Sequence, residues 1–135
     1  MNIKQLRQGS LIKISPRENE EGLLAIQEIQ KDNIIGEMLV PRQGYHFRIK
    51  FYEIIPIPLT EKWLEMAGFV KDGQDGNLWK DSNNKLDFYF SNEGEKQFID
   101  DGVLIGKVPV EFVHDLQNGY LFLTGKELNI ATEQG

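Results

Sequence analysis

The first part of the chain alternates apolar and polar residues with a period of two, the pattern of strands with one buried face. Residues 11–15 (LIKIS) alternate in this way, and two runs rich in Ile, Leu and Val follow at 23–30 and 34–40. The polar residues 31–33 between these runs suit a hairpin turn. Residues 45–52 (YHFRIKFY) alternate most regularly, so we expect the odd positions to face the core and the even positions the solvent.

These short strands predict a small curled antiparallel sheet or an SH3-like β-barrel over residues 1–56. Pro56 and Pro58 then form a stiff connector, which places the boundary of this N-terminal β subdomain at residue 56. A short helix is predicted directly afterwards, with Thr60 as its N-cap and Gly68 as the residue that ends it.

Four strand-like segments follow the helix and predict a small antiparallel meander. They are residues 69–71, 78–80, 85–90 and 103–108. The last predicted element is a helix with Pro109 at its first position and Gly125 at its end. The fold class is therefore predicted to be α+β, with a C-terminal α+β subdomain over residues 57–128 and a flexible tail over 129–135. The candidates for the core of this subdomain are Trp63, Leu64, Phe69, Phe88, Leu116, Tyr120 and Leu123.

Composition excludes several kinds of chemistry. The 135 residues are 40% hydrophobic, which is enough for a core, and contain no cysteine. Disulfides, thiolate metal sites and cysteine nucleophiles are therefore excluded. The longest apolar run, residues 54–59, is far shorter than a membrane-spanning helix and contains two prolines. Residues 1–10 show no export signal, so we expect a cytoplasmic location and no membrane partner.

Two polar segments are candidates for a catalytic or metal site. His114 with Asp115, Gln117 and Asn118 could supply an acid or base for a hydrolase, but no nucleophile, second acid or metal motif accompanies them. The segment 72–77 (DGQDGN) places Gly and Asn where an EF-hand loop needs ligands and glycine, and is typical of a hairpin turn. We therefore assign no catalytic residue, metal or cofactor. Whether the chain is an enzyme stays open, with a non-enzymatic role favoured and a hydrolase centred on His114 kept as the third hypothesis.

A basic and aromatic strand face is the candidate nucleic-acid interface. His46, Arg48 and Lys50 alternate onto one face of the predicted strand, and Tyr52 continues it. Cations can bind phosphates while an aromatic ring stacks on a base. The net charge of −6 disfavours indiscriminate binding to phosphate, so nucleic-acid binding is the alternative hypothesis.

A surplus of aromatic residues after residue 56 favours a protein-binding surface as the first hypothesis. One sheet and one helix have limited area to cover these rings, and an exposed apolar patch usually marks a partner. The candidate interaction surface comprises Tyr89, His114, Gln117, Asn118, Leu121 and Phe122. We therefore expect a non-enzymatic protein-interaction or assembly module with a protein partner or self-association.

Two longer strings carry a family resemblance: PIPLTEKWLEMAGF at 56–69 and VHDLQNGYLFLTGKEL at 113–128. They resemble a family of small uncharacterised proteins common in Bacteroidetes genomes and their phages or mobile elements. The likeness covers most of the chain, although Ser10 and Gly119 stand where that family more often has Asn and Leu. The resemblance implies a cytoplasmic accessory protein of phage or mobile-element origin, and it carries over no catalytic or binding residue.

Overall fold

The computed structural model describes residues 3–15, 20–74, 76–81, 86–91, 95–100, 102–106 and 110–132. Within these residues the predicted α+β class is confirmed, with two antiparallel sheets of four and five strands. The chain divides into two compact units. The N-terminal unit is Met1–Ile57 with Thr132–Gly135, and the C-terminal unit is Pro58–Ala131.

The N-terminal unit contains one sheet with the strand order β1-β2-β3-β4. Its strands are β1 (Leu11–Ile14), β2 (Gly22–Ile29), β3 (Asn33–Val40) and β4 (His46–Lys50), and three-residue 3-10 helices lie at Ile3–Gln5 and Phe51–Glu53. An isolated bridge joins Lys13 of β1 to Ile55 through two backbone hydrogen bonds of 2.9 and 2.8 Å. The described strands do not close into a barrel.

The core of the N-terminal unit lies on the inner face of this sheet. Its buried residues are Leu6, Ile12, Ile14, Leu24, Ile26, Ile34, Met38, Ile49 and Ile54. Gly36 makes room for one of them, because a Cβ at this position would lie 2.9 Å from Leu24 Cδ2. The alternation of β1 to β3 therefore matches a sheet with one apolar face packed inward.

The strand β4 departs from the predicted pattern. We expected Tyr45, Phe47, Ile49 and Phe51 to be core residues, but only Ile49 is buried. Tyr45 is 53% exposed and Phe47 is 37% exposed. Phe51 packs against the core from the 3-10 helix and is half-buried. The prediction that one face of β4 is wholly core is therefore wrong, because β4 is an end strand and no described element covers its first half.

The C-terminal unit contains a five-stranded sheet with the order β5-β6-β7-β8-β9 and two α-helices. The elements are α1 (Glu61–Met66), β5 (Phe69–Lys71), β6 (Leu78–Asp81), β7 (Leu86–Phe90), β8 (Lys96–Asp100), β9 (Val103–Ile105) and α2 (Val113–Thr124). The strand β8 was not predicted. It carries only two apolar residues, and pairing with β7 sets Phe98 opposite Phe88.

Aromatic rings in edge-to-face contact form the centre of the C-terminal unit. Phe88 contacts Phe69 and Phe98 with ring centroids 6.3 and 5.1 Å apart, and Phe69 contacts Tyr120 at 6.4 Å. Such pairs add about 0.5–1.5 kcal/mol beyond the area that they bury. The Tyr120 hydroxyl donates a 2.6 Å hydrogen bond to the Asp81 carboxylate, which ties α2 to β6. Five of the seven predicted core residues are buried, whereas Trp63 and Leu123 are half-buried.

The helix ends differ from the prediction in two places. The N-cap of α1 is Thr60, as expected, but its side chain makes no capping hydrogen bond. The helix α2 begins at Val113 rather than at Pro109. Residues 110–112 are not helical, because Leu59 N–H donates to the Glu111 carbonyl and an isolated bridge holds Phe112 extended beside Pro58.

Some predicted features fall outside the described residues. They are the strand ends at Lys85 and at 107–108, the helix start at Pro109 and the last three residues of the tail, 133–135. Within the described part of the predicted tail, the Ala131 amide donates to the Met66 carbonyl at 2.8 Å. No helix among the described residues combines the length and the apolar character needed to cross a membrane.

Candidate nucleic-acid interface

An open groove with a volume of about 460 Å³ lies in the N-terminal unit. Its lining residues come from both end strands of the sheet and from the segment after β4. They are Ile14, Ser15, Phe47, Arg48, Ile49, Tyr52, Glu53 and Ile55. The groove therefore follows the free edge of β4, opposite the end of β1, where the described sheet does not close. We call this set of residues the β4 groove.

The position of Tyr52 is set by the way in which β4 ends. Lys50 N–H donates a 3.0 Å hydrogen bond to the Glu53 carboxylate, and Ile54 N–H donates to the Phe51 carbonyl at 3.3 Å. These bonds close a 3-10 turn that leaves the Tyr52 side chain 81% exposed. Tyr52 thus belongs to this turn and does not continue the alternation of the strand, which differs from our prediction.

The cations of β4 share one face of the sheet. The register with β3 places His46, Arg48 and Lys50 opposite Glu37, Ile35 and Asn33 respectively. All three basic side chains are exposed. Lys50 Nζ lies 5.9 Å from the centroid of the Tyr52 ring, within the range of a cation–π contact. Arg48 and Tyr52 both line the β4 groove, so a cation and an aromatic ring are available to the same ligand.

The acidic groups near this face are already engaged. Glu53 is the one carboxylate among the lining residues, and it accepts the Lys50 amide. Glu37 lies opposite His46 and accepts a 3.1 Å hydrogen bond from Gln27. Within the described residues, Arg48 and Lys50 form no ion pair. No carboxylate in the described part of the chain therefore neutralises these two positive charges through an ion pair.

The negative charge of the chain is unevenly divided along the sequence. Residues 1–57 hold eight Lys and Arg against seven Asp and Glu, whereas residues 58–131 hold seven against thirteen. The N-terminal unit is close to neutral, and segment 42–52 (RQGYHFRIKFY) contains three cations, one histidine and no acid. The net charge of −6 thus comes from the C-terminal unit, and the N-terminal unit itself carries no excess of negative charge that would repel a phosphate.

Exposed apolar side chains of the N-terminal unit are concentrated in the same region. Among the described residues, four of its five exposed large hydrophobics lie between residues 45 and 55: Tyr45, Phe47, Tyr52 and Ile55. Sequence reasoning missed Phe47 and Ile55, because alternation assigned Phe47 to the core and gave no reason to single out Ile55. The run of aromatics interleaved with cations and free of acids at 42–52 is a signal that could have found Phe47, but not Ile55.

The cluster around His114 is buried. The His114 side chain is 0% exposed, and its ring stacks on Phe112 with centroids 5.5 Å apart. Burial lowers the pKa of His114 below its ordinary value, although the nearby Asp115 charge opposes this shift. His114 Nε2 lies 3.5 Å from Asp115 Oδ1, and neither ring nitrogen has a hydrogen-bond partner among the described residues.

Asp115 has a structural task in this cluster. Its Oδ2 accepts the backbone N–H groups of Glu111 and Phe112 at 3.1 and 3.0 Å, which caps the first turn of α2. A substrate cannot reach the fully buried His114 ring in this conformation. The geometry therefore gives no support to a hydrolase centred on His114.

The six residues of the candidate interaction surface do not form one exposed patch. Phe122 is 80% exposed, whereas Tyr89, Asn118 and Leu121 are half-buried and His114 and Gln117 are buried.

In the 72–77 segment, Asp72 accepts the Gln74 amide at 3.1 Å, as in an Asx turn. The described residues contain no group of three or more His, Asp or Glu side chains that could hold a metal ion.

When the chain is compared with models of protein families, with curated proteins and with solved structures, nothing matches it. Function is therefore inferred from the chemistry of the residues described above.

Proposed function

We propose that the N-terminal unit is a nucleic-acid-binding module that uses the β4 groove. The observation that carries this proposal is the exposed Tyr52 ring beside two cations, Arg48 and Lys50, that no described carboxylate neutralises. Phosphates attract such cations, and bases stack on exposed aromatic rings. The groove brings both kinds of contact within reach of one ligand.

The small number of cations implies that binding is of modest strength. Two cations neutralise two phosphates, and each contact with a single strand contributes a slope of about −0.7 to the logarithmic salt dependence. Affinity should then fall about sevenfold between about 50 mM and about 200 mM salt. A non-specific dissociation constant of about 10⁻⁴ to 10⁻⁶ M is expected.

Fluorescence anisotropy with a labelled oligonucleotide tests this function. Arg48→Gln and Lys50→Gln should each weaken binding and reduce the salt slope by about 0.7. Lys62→Gln is the matched control, because Lys62 is an exposed cation of α1 in the other unit. Loss of binding by the control to the same degree, or an absence of binding by the native chain at about 50 mM salt, would contradict the proposal.

We further propose that the N-terminal unit has an SH3-like arrangement of strands in a curled sheet that stays open between β1 and β4. The order of its four strands, the 3-10 helix after β4 and the Lys13–Ile55 bridge support this assignment. In such an arrangement the segment after the 3-10 helix returns to pair with the first strand. The resemblance to the Bacteroidetes and phage family supports an accessory role in phage or mobile-element biology and a cytoplasmic location, as part of the same proposal.

A protein-interaction role for the C-terminal unit is the second candidate. Phe122 favours it, because this large ring is 80% exposed in the last turns of α2 beside the half-buried Leu121. Self-association through this site should bury at least about 1,000 Å². Light scattering across a range of protein concentrations would then show a dimer for the native chain and a monomer for Phe122→Ser. A native chain that stays monomeric at every protein concentration would rule out the hypothesis of self-association.

A further inference from the structure

We infer that the ligand of the β4 groove is a single-stranded segment of nucleic acid, with one unpaired base stacked on Tyr52 and the adjacent phosphate held by Lys50 and Arg48. This inference rests on the proposed function and narrows it to a class of ligand. Three observations carry it: the shape of the sheet, the exposure of the Tyr52 ring and the position of the Lys50 ammonium.

The shape of the N-terminal unit does not suit the major groove of a duplex. That groove is about 12 Å wide and admits an α-helix or a two-stranded ribbon. The described residues of the unit contain no α-helix. Its sheet has four strands, which at a spacing of about 4.8 Å span about 14 Å before side chains are counted. The full face of this four-stranded sheet is therefore too wide to lie in a major groove as a helix or a two-stranded ribbon does.

The exposed rings are suited to unpaired bases. Inside a duplex each base is covered on both faces by its neighbours, so a protein ring can stack only on a base that is unstacked. Tyr52 is 81% exposed and Phe47 is 37% exposed, and both line the β4 groove. These rings therefore cannot stack on the bases of an intact double helix without unstacking them, which costs free energy.

The Lys50 ammonium leaves one face of Tyr52 for the ligand. Lys50 Nζ lies 5.9 Å from the ring centroid and occupies one side of the ring. We expect the strand that carries a base on the other face to pass the edge of the ring, where Lys50 can bind a neighbouring phosphate, and Arg48 contributes a second cation from the groove wall. Because every base has an aromatic face, we expect little preference for sequence.

The test compares three labelled ligands with the full chain. They are a DNA strand of about 16 nucleotides, an RNA strand of the same sequence and the DNA duplex of that sequence. At least one of the two strands should bind about tenfold or more tighter than the duplex. Tyr52→Ser should weaken binding of that strand by about 5- to 100-fold and leave the weak duplex binding unchanged. Tyr52→Phe keeps the ring and should retain affinity within about twofold.

The outcomes separate this inference from the proposed function. Equal binding of strand and duplex, with Tyr52→Ser silent and Arg48→Gln weakening both, would overturn the single-strand inference and leave nucleic-acid binding standing. Failure of all three ligands to bind at about 50 mM salt would overturn both. Binding of either DNA or RNA strands that depends on the Tyr52 ring supports the inference, and the tighter of the two identifies the ligand class. Circular dichroism of each variant checks that the fold is retained.

Discussion

The carboxylate of Glu53 accepts the backbone N–H of Lys50 at 3.0 Å, and this hydrogen bond marks the end of β4. It closes the 3-10 turn from which Tyr52 projects into solvent. The turn that presents the ring is thus closed by Glu53. This carboxylate keeps its negative charge in the lining of the β4 groove, and Arg48 and Lys50 supply the positive charge beside it.

Removal of this cap should destabilise the chain slightly. Glu53→Ala loses the acceptor for the Lys50 amide and should lower the free energy of unfolding by about 1 kcal/mol. Glu53→Gln keeps an acceptor oxygen and should cost less than about 0.5 kcal/mol. Urea denaturation measures both. Equal losses for the two variants would show that the capping bond is not the source of the effect.

The buried bond between Tyr120 and Asp81 should contribute more. Tyr120→Phe removes a 2.6 Å hydrogen bond to a buried carboxylate, and we expect a loss of about 1.5–3 kcal/mol in the free energy of unfolding. Tyr89→Phe removes the hydroxyl of a half-buried tyrosine elsewhere in the same unit and serves as the control. A cost below about 0.5 kcal/mol for Tyr120→Phe would contradict this assignment.

The buried His114 should make stability depend on pH. Because burial lowers the pKa of His114, the unfolded chain binds a proton here at a higher pH than the folded chain does. Stability should therefore be constant above about pH 6.5 and fall as the pH is lowered from there towards the folded pKa. Urea midpoints at about pH 7 and about pH 5.5 measure the change, in a range where most carboxylates remain ionised.

Two variants isolate the contribution of this histidine. His114→Gln should lose most of the fall in stability between those two pH values, whatever its effect on stability at neutral pH. His46→Gln removes the other histidine, which is exposed, and should keep the native pH dependence. If both variants keep the fall in stability between the two pH values, the pH dependence arises from other groups.

The glycine after α1 should resist substitution because of its backbone conformation. Gly68 has a φ of +89°, and a Cβ added there would meet no atom within 4 Å. Gly68→Ala should thus cost about 1–2 kcal/mol through backbone strain alone. Gly73 is equally open but lacks a positive φ, so Gly73→Ala should be nearly neutral in the same denaturation measurement. Equal effects at the two positions would contradict this explanation.

Alternation predicted β1, and runs rich in Ile, Leu and Val predicted β2 and β3, because each of these strands has a face packed on the core. It could not predict that Tyr45 and Phe47 are exposed. A repeat of two shows which side chains share a face, but it does not show whether another element covers that face. At β4, an end strand, part of the apolar face stays open and becomes part of the candidate site.

The C-terminal unit shows a second limit of prediction from sequence: a polar residue is not always exposed. His114 and Gln117 were assigned to a surface because they are polar, yet both are buried on α2. The capping bonds from Asp115 show that polar groups near a helix start can satisfy the backbone instead of the solvent. The strand β8 was missed because three of its five residues are polar, and the ring of Phe98 on Phe88 appears only once the strands are paired.

The most direct test of the central claim is a nuclear magnetic resonance titration of the full chain with a short single strand. If the β4 groove binds the strand, the amide chemical shifts should change in β4, in the 3-10 turn that carries Tyr52 and at Ile14 and Ile55. The shifts of α2 and β9 should stay unchanged. Changes centred on α2 or β9, or no change at all, would show that the β4 groove is not a nucleic-acid interface.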